Sequence, residues 1–401
     1  MKSEVLFSIG SCFKKNGVTM VKLDLYPSVK HLHAAAKKKL PKFSFDYVEG
    51  GTGLEAGLKR NRDALDATTI NPKYVNDWPS LDTEVNLFGR NFSYPFGIAP
   101  MGLASLQWPK AELIFAEAAQ KANIPVGLST SCTVAIEEFG AIAGGHGWFQ
   151  LYPPQDEEIN DDLLERAEKS GLEVLMVTVD VPARGWRPRD MYNGLSLPPR
   201  VTSASLYHAA CRPRWSLATL ASGIPHFKTM GRYSKDKSFR AMADFIRQEL
   251  GRPVTRERLK HIRRKWKGPL VIKGVMHPAD AEAAVKMGYD GILVSNHGGR
   301  QLDACLSPVE VLADIITQVG GRATIMVDSG FSNGLDIARG IALGADFVFC
   351  GRAFMWGVSV LGQKGAEHVI NLLSNELQLA LTQIGCPSVN ELNTSWLDAK
   401  T

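Results

Sequence analysis

Eight short apolar runs recur along the chain, at residues 95–100, 124–129, 148–152, 174–180, 270–274, 291–295, 324–328 and 345–351. Each is bounded by Gly, Pro or polar residues and is too short for a buried helix, so each reads as a strand. Apolar and polar residues do not alternate within them, which means both faces are buried, as in a parallel sheet covered by helices. Parallel neighbours need a crossover, and helix-period sequence supplies it at 110–122, 156–169, 278–287, 308–319 and 333–343. Pro278 and Pro308 open two of these, at positions where a helix has no use for an N–H. Eight such units close a ring, whereas an open doubly wound sheet would leave the count unexplained. The expected fold is α/β, a (β/α)8 TIM barrel.

A barrel with insertions accommodates all 401 residues in one domain, placed here at 22–392. Residues 22–90, with helices expected at 40–47 and 60–65, form an N-terminal helical segment that closes the bottom or side of the barrel. Residues 1–21 are expected to be a disordered N-terminal extension, with Met20 as an alternative start, and 393–401 a C-terminal tail. Residues 181–250 follow the fourth run and far exceed an ordinary βα loop of about two to six residues. Such a long insertion after strand 4 is expected to be functional or disordered.

Composition excludes several classes. The six cysteines, at 12, 132, 211, 305, 350 and 386, include no C-x-x-C pair, which argues against a zinc ribbon and for a reducing, cytoplasmic compartment. His31 and His33 read as a solvated helix face, so no metal site is expected. No run reaches the roughly 18 apolar residues of a membrane span. The net charge of +5 is unevenly spread: residues 184–240 hold eleven Arg or Lys against two Asp, leaving the remainder mildly acidic. That asymmetry points to a partner surface, yet no nucleic-acid-binding module accompanies it.

Barrel enzymes place their chemistry at the C-terminal strand ends. Here those ends carry Pro100-Met101-Gly102, Ser129, Gln150 with Tyr152, Thr178 with Asp180, Lys273, Ser295 through His297, Asp328-Ser329 and Gly351-Arg352. Any one of them could be polar merely because strand ends meet solvent; their convergence on one rim argues for a site. His297 is the natural proton acceptor, since imidazole titrates near neutrality, and Asp180 can supply the fixed anion that an imidazolium needs. Arg300 follows after two glycines, and its planar fork suits a carboxylate; Arg187, seven residues past Asp180, offers a second half to the clamp. Glycine-containing turns at Asp328-Ser329-Gly330 and Gly351-Arg352 suit a phosphorylated cofactor, because barrel phosphate sites form after strands seven and eight. No G-x-G-x-x-G follows a strand at the spacing of a nicotinamide site.

The string S-N-H-G-G-R-Q-L-D at 295–303 resembles the FMN-dependent L-2-hydroxy-acid oxidases and dehydrogenases, which include glycolate oxidase, L-lactate dehydrogenase and mandelate dehydrogenase. V-I-K-G-V at 271–275, F-Q-L-Y at 149–152, T-V-D-V-P at 178–182 and L-P-K-F-S-F-D-Y at 40–47 extend the resemblance over residues 25–392. C-R-P-R-W-S-L at 211–217, D-S-G-F at 328–331 and Q-I-G-C-P at 383–387 favour the mandelate and L-lactate dehydrogenase branch. The resemblance implies that His297 abstracts a substrate proton while Asp180 stabilises its charged form. It implies that Arg187, Arg300 and Tyr47 hold the carboxylate and that Tyr152 bonds the substrate oxygen. Lys273 would sit by flavin N1 and C2=O, opposite the charge of reduced flavin. Pro100, Met101, Gly102, Ser129, Gln150, Thr178 and Ser295 would line the ring, and Asp328, Ser329, Gly330, Gly351 and Arg352 the phosphate end of FMN. A homotetramer is implied too.

Three positions depart from the family pattern. Ser332 replaces the usual phosphate-binding arginine, which should weaken FMN binding. Met101 stands where threonine is usual, in contacts made largely through backbone. Ser131 replaces the substrate-side tryptophan of glycolate oxidases and, with Gly102 in place of alanine, suggests a roomier pocket. In the dehydrogenase branch the loop after strand four docks on the membrane, so that electrons pass to a quinone. Residues 184–240 suit that role, being basic yet carrying Tyr192, Leu195, Leu197, Tyr207, Trp215, Leu217 and Leu220. The expected place is the cytoplasm, with peripheral contact on the inner face of the plasma membrane. Two readings compete: a soluble oxidase that reduces O2 to H2O2, and a flavin-poor, non-catalytic binding barrel.

Overall fold

The eight apolar runs form a closed barrel of parallel strands. The computed structural model describes residues 25–75, 80–195, 200–236 and 238–398, with the side chains of Phe239 and Arg240 left aside. A hairpin of β1 (Val85–Leu87) and β2 (Arg90–Phe92) precedes the barrel strands β3 (Phe96–Ile98), β4 (Val126–Ser129), β5 (Gly147–Leu151), β6 (Val174–Thr178), β7 (Leu270–Val275), β8 (Gly291–Val294), β9 (Thr324–Val327) and β10 (Phe347–Cys350). Their order is sequential, with β10 pairing back onto β3. Ser129 lies beside Gln150, and Thr178 beside Lys273, so polar residues fall into register at one end of the barrel. The β7–β8 register shifts between Lys273 and Val275.

The opposite end is plugged by the hairpin. Phe88 at its tip takes a positive φ of 53° and sets its ring 5.8 Å from that of Trp148 inside the barrel. Trp148 meets Phe349 edge-on at 5.4 Å, and Phe349 meets Phe347 at 5.2 Å, filling the interior with aromatic side chains. Such a barrel is a packed core and leaves room for a site only at its rim.

The N-terminal segment holds three helices, α1 (Val29–Lys39), α2 (Lys42–Glu49) and α3 (Ala56–Ala67). The single helix expected at 40–47 starts later and has a partner before it. Pro41 bars its predecessor from the helical region, so Leu40 turns extended (φ −91°, ψ 150°) between α1 and α2. Both helices lie against the helix after β10, where Phe45 stacks on Trp356 at 5.1 Å. This segment therefore delivers Tyr47 to the functional end as well as plugging the other.

The insertion is helical rather than a simple loop: Pro188–Tyr192, Ser203–Ala210, Pro213–Ser222, Lys228–Gly231 and Phe239–Glu249 precede the barrel helix Arg256–Lys265. Met230, Met242, Ile246 and Leu250 are buried beneath it. Trp215, read above as an interfacial residue, is also buried; its Nε1 donates to the Leu106 carbonyl at 3.0 Å. Tyr192, Tyr207, Leu217 and Leu220 are exposed, whereas Leu195 is half-buried. Leu197 and the expected extension 1–21 lie outside the described residues. Residues 393–398 are part of the fold rather than a free tail: Trp396 is buried, and Leu397 bridges to Ile70.

Candidate active site

At the end of β8 the chain makes a tight reversal that puts His297 itself at φ 60°, a strained conformation for a non-glycine residue. Its N–H is held by the Ser295 hydroxyl at 3.1 Å. Its Nδ1 lies 3.1 and 3.2 Å from the two carboxylate oxygens of Asp180, just past β6. An ionised carboxylate only accepts, so in the neutral imidazole Nδ1 carries the proton and Nε2 the lone pair. Nε2 faces the Tyr152 hydroxyl at 3.1 Å. The bulge in β7 makes room for this pair: Gly274 sits at φ 98°, and a Cβ there would lie 2.5 Å from Asp180 Cβ and Cγ.

Two arginines flank the histidine. Arg300 donates to the carbonyls of Tyr47 (2.6 Å) and Gly50 (2.8 Å), and its guanidinium stacks over the Tyr47 ring at 5.1 Å. Arg187 donates through Nε to the Arg300 carbonyl at 3.3 Å. Asp190 stands 3.9 Å from each guanidinium. Burial, followed by the repulsion of Arg300, pushes Arg187 down to about 10, so it stays cationic at neutral pH. Burial raises Asp190, against the pull of Arg300 and Arg187. Two cations sharing one carboxylate leave capacity for one more anion. Tyr47 donates to the Gly102 carbonyl at 3.1 Å. Burial raises both Tyr47 and Tyr152, keeping their hydroxyls protonated as donors.

A third group runs along the strand ends. The Ser129 hydroxyl donates to Gln150 Oε1 (2.8 Å), and Gln150 Nε2 donates to the Thr178 hydroxyl (2.8 Å). Lys273, nearly buried, donates to the Ser295 hydroxyl at 2.9 Å and pairs with Asp328. The Ser329 hydroxyl accepts from the Gly298 N–H at 2.9 Å and donates to Asp328 at 2.8 Å. Arg352 reaches back under the site to the carbonyls of Val48 (2.7 Å), Gly298 (3.0 Å) and Gly50 (3.2 Å). Burial, with Arg300 next, pushes it down to about 10. Ser332 brings no cation: its N–H and hydroxyl both go to Asp336, at 3.1 and 3.3 Å, which Arg62 already grips through both oxygens.

These groups surround one cavity of about 810 Å³, large enough for a small-molecule cofactor with a substrate beside it. Tyr47, Pro100, Met101, Gly102, Ser129, Gln150, Tyr152, Arg187, Lys273, His297, Arg300, Asp328, Ser329, Gly330, Gly351 and Arg352 form its wall. Thr178, Asp180 and Ser295 stand behind the wall and hold Gln150, His297 and Lys273. Asp190 and Arg184 also line the cavity and escaped the sequence reading, which counted them only as charges in a basic segment. Among the described residues no cluster of His, Cys, Asp and Glu is arranged to hold a metal ion.

The pattern of an FMN-dependent dehydrogenase matches residues 36–399. The chain belongs to the FMN-dependent dehydrogenase family. It is 35% identical over 370 residues to the (S)-mandelate dehydrogenase of Pseudomonas putida, covering 92% of this chain and 93% of that protein. It is 38% identical to the 4-hydroxymandelate oxidase of Amycolatopsis orientalis, covering 92% and 98%. To an L-lactate dehydrogenase of Acinetobacter baumannii (strain SDF) it is 37% identical, covering 91% and 95%. The crystal structure of a monotopic membrane protein, (S)-mandelate dehydrogenase, superposes with a TM-score of 0.89 at 34% identity, covering 93% of this chain and 99% of that one. The cofactor of this family member is FMN, and the donor set fits it: a buried lysine, an amide-bearing strand wall and a half-buried arginine beside glycine turns.

Proposed function

We propose that the protein oxidises an L-2-hydroxy acid to the 2-oxo acid and passes the electrons to a quinone-type acceptor at a membrane surface. The observation that carries this is the placement of His297 Nε2, fixed by Asp180, beside two arginines that share a single carboxylate. A substrate carboxylate completes the charge balance of Arg187 and Arg300, with Tyr47 beside them. The substrate oxygen then meets the Tyr152 hydroxyl and His297 Nε2, which takes the proton, and Asp180 stabilises the imidazolium. Ser129, Gln150, Lys273 and Arg352, with Thr178 and Ser295 behind them, would hold FMN, which would supply the two-electron acceptor. The Lys273 cation, oriented by Ser295 and Asp328, would offset negative charge on the bound group.

The exposed apolar and basic residues of the insertion support peripheral attachment on the cytoplasmic membrane face. Among the described residues no helix is long and apolar enough to cross a membrane. The resemblance also implies a homotetramer, to be read from sedimentation velocity. The test is anaerobic bleaching of the flavin by a panel of L-2-hydroxy acids, followed by reoxidation with quinone or with air. Bleaching with fast quinone and slow air reoxidation is expected; fast reoxidation by air would instead mark an oxidase. His297→Ala should slow bleaching by about 10²–10⁴-fold while keeping bound flavin. Normal bleaching by that variant would refute the base assignment.

A further inference from the structure

The cavity continues past the carboxylate clamp into a lobe built by the insertion, walled by Val181, Ile224, Phe227, Ile246 and Leu250. Arg184, a solvent-exposed side chain of the same segment, lines the cavity with them. It packs over Gly251: a Cβ on that glycine would lie 3.4 Å from Arg184 Cγ and 3.8 Å from its Nε. Its Nη2 donates to the carbonyl of Ile246, near the C-terminal end of the helix Phe239–Glu249, at 3.3 Å. Among the described residues no carboxylate lies within ion-pairing distance of Arg184. The charged neighbour that acts on it most is another cation, Arg247; Tyr152 and Tyr47 follow. The guanidinium therefore stands on the substrate side of the cavity, away from the phosphate end.

Three arginines, 184, 187 and 300, thus line the substrate end of the cavity with one carboxylate, Asp190, among them. The substrate carboxylate that the proposed function requires is taken by Arg187 and Arg300. Arg184 has no carboxylate partner among the described residues. It is exposed at the edge of the cavity, where water solvates its charge, and its guanidinium fork favours a carboxylate or a similar oxyanion. We infer that the preferred substrate is a 2-hydroxy acid bearing a second anionic group, a carboxylate at the far end of its side chain, received by Arg184. The apolar walls between clamp and guanidinium would hold the carbon spacer. This inference rests on the proposed function and specifies the substrate class for it.

The test compares chain-matched pairs as reductants of the FMN-loaded protein: L-malate with L-2-hydroxybutyrate, L-2-hydroxyglutarate with L-2-hydroxypentanoate, and L-2-hydroxyadipate with L-2-hydroxyhexanoate. For the best pair, kcat/KM should favour the dicarboxylate by about tenfold or more, the discrimination of one charge-assisted hydrogen bond. Arg184→Met should bring that ratio to about one, and Arg184→Lys should keep most of it. Being a ratio within one variant, it is insensitive to partial unfolding. Calorimetric binding of 2-oxoglutarate against 2-oxopentanoate, without turnover, should show the same preference and the same loss. Preference for the monocarboxylates in every pair, or a ratio that Arg184→Met does not move, overturns the inference and leaves the proposed function standing. If neither set bleaches the flavin while L-lactate or (S)-mandelate does, the inference alone is overturned; if none of these acids bleaches it, both are.

Discussion

Ser332 turns its N–H and hydroxyl to Asp336, whose carboxylate is already gripped by Arg62 and contacted by Arg339 at 3.1 Å. The cation that the family pattern places there is thus absent, and Arg352 is the half-buried guanidinium that lines this end of the cavity. Arginine restored at this position adds charge-assisted hydrogen bonds to a phosphate, about 1.5–3 kcal/mol in total. Ser332→Arg should therefore tighten FMN binding by roughly 10–100-fold in a flavin-fluorescence titration. An unchanged Kd would mean that Arg352 and the backbone of the glycine turns already satisfy the phosphate. A different limit operates at Gly274. No side chain can occupy that position while Asp180 remains against His297, since the added Cβ would sit 2.5 Å from two Asp180 carbons. Sequence alone marked Lys273 in V-I-K-G-V but gave no reason for the glycine after it. The reason is a close approach between two strand ends.

The insertion between β6 and β7 does two jobs with separate sets of side chains. Its inner residues, including Phe227, Ile246 and Leu250, wall the cavity, and Trp215 anchors it to the barrel. Its outer face exposes Tyr207, Leu217 and Leu220, each more than 60% exposed, amid an excess of Arg and Lys. Side chains of this kind partition into a membrane interface, with about 1 kcal/mol more from each basic residue near an anionic surface. The triple variant Tyr207→Ser, Leu217→Ser, Leu220→Ser should lose at least about tenfold in binding to vesicles containing phosphatidylserine, since burying one such side chain is worth about 1.5–3 kcal/mol. Vesicle sedimentation measures this, and flavin bleaching by substrate should stay normal, because none of the three lines the cavity. Undiminished sedimentation would show that these residues do not mediate attachment. The sequence marked this segment as basic and long. It could not separate inner from outer apolar residues, because the helices are short and their burial depends on what the barrel offers beneath them.

At the scale of the whole molecule the cavity joins parts distant in sequence: strand ends from β3 to β10, the helices α1 and α2, and the insertion. A ligand that binds only this assembled state stabilises all of it. With free FMN at about one hundred times its Kd, the gain is roughly 2.7 kcal/mol, enough to raise the melting temperature by a few degrees in calorimetry. No shift on FMN addition would contradict FMN binding in this cavity. By itself the sequence determined the barrel, because eight runs buried on both faces, alternating with helices, have few other ways to pair. It also determined the chemical types at the rim, His297, Asp180, Lys273 and Arg300 among them, since these sit at strand ends whatever the details. Only the tertiary structure decided which of those groups touch. It set Asp190 between two arginines, put Tyr47 from α2 into the site and left Arg184 exposed at the cavity's edge, with no carboxylate partner among the described residues. The physical reason is that local pattern records burial and period. Charge pairing is settled by side chains that the fold brings together from distant segments.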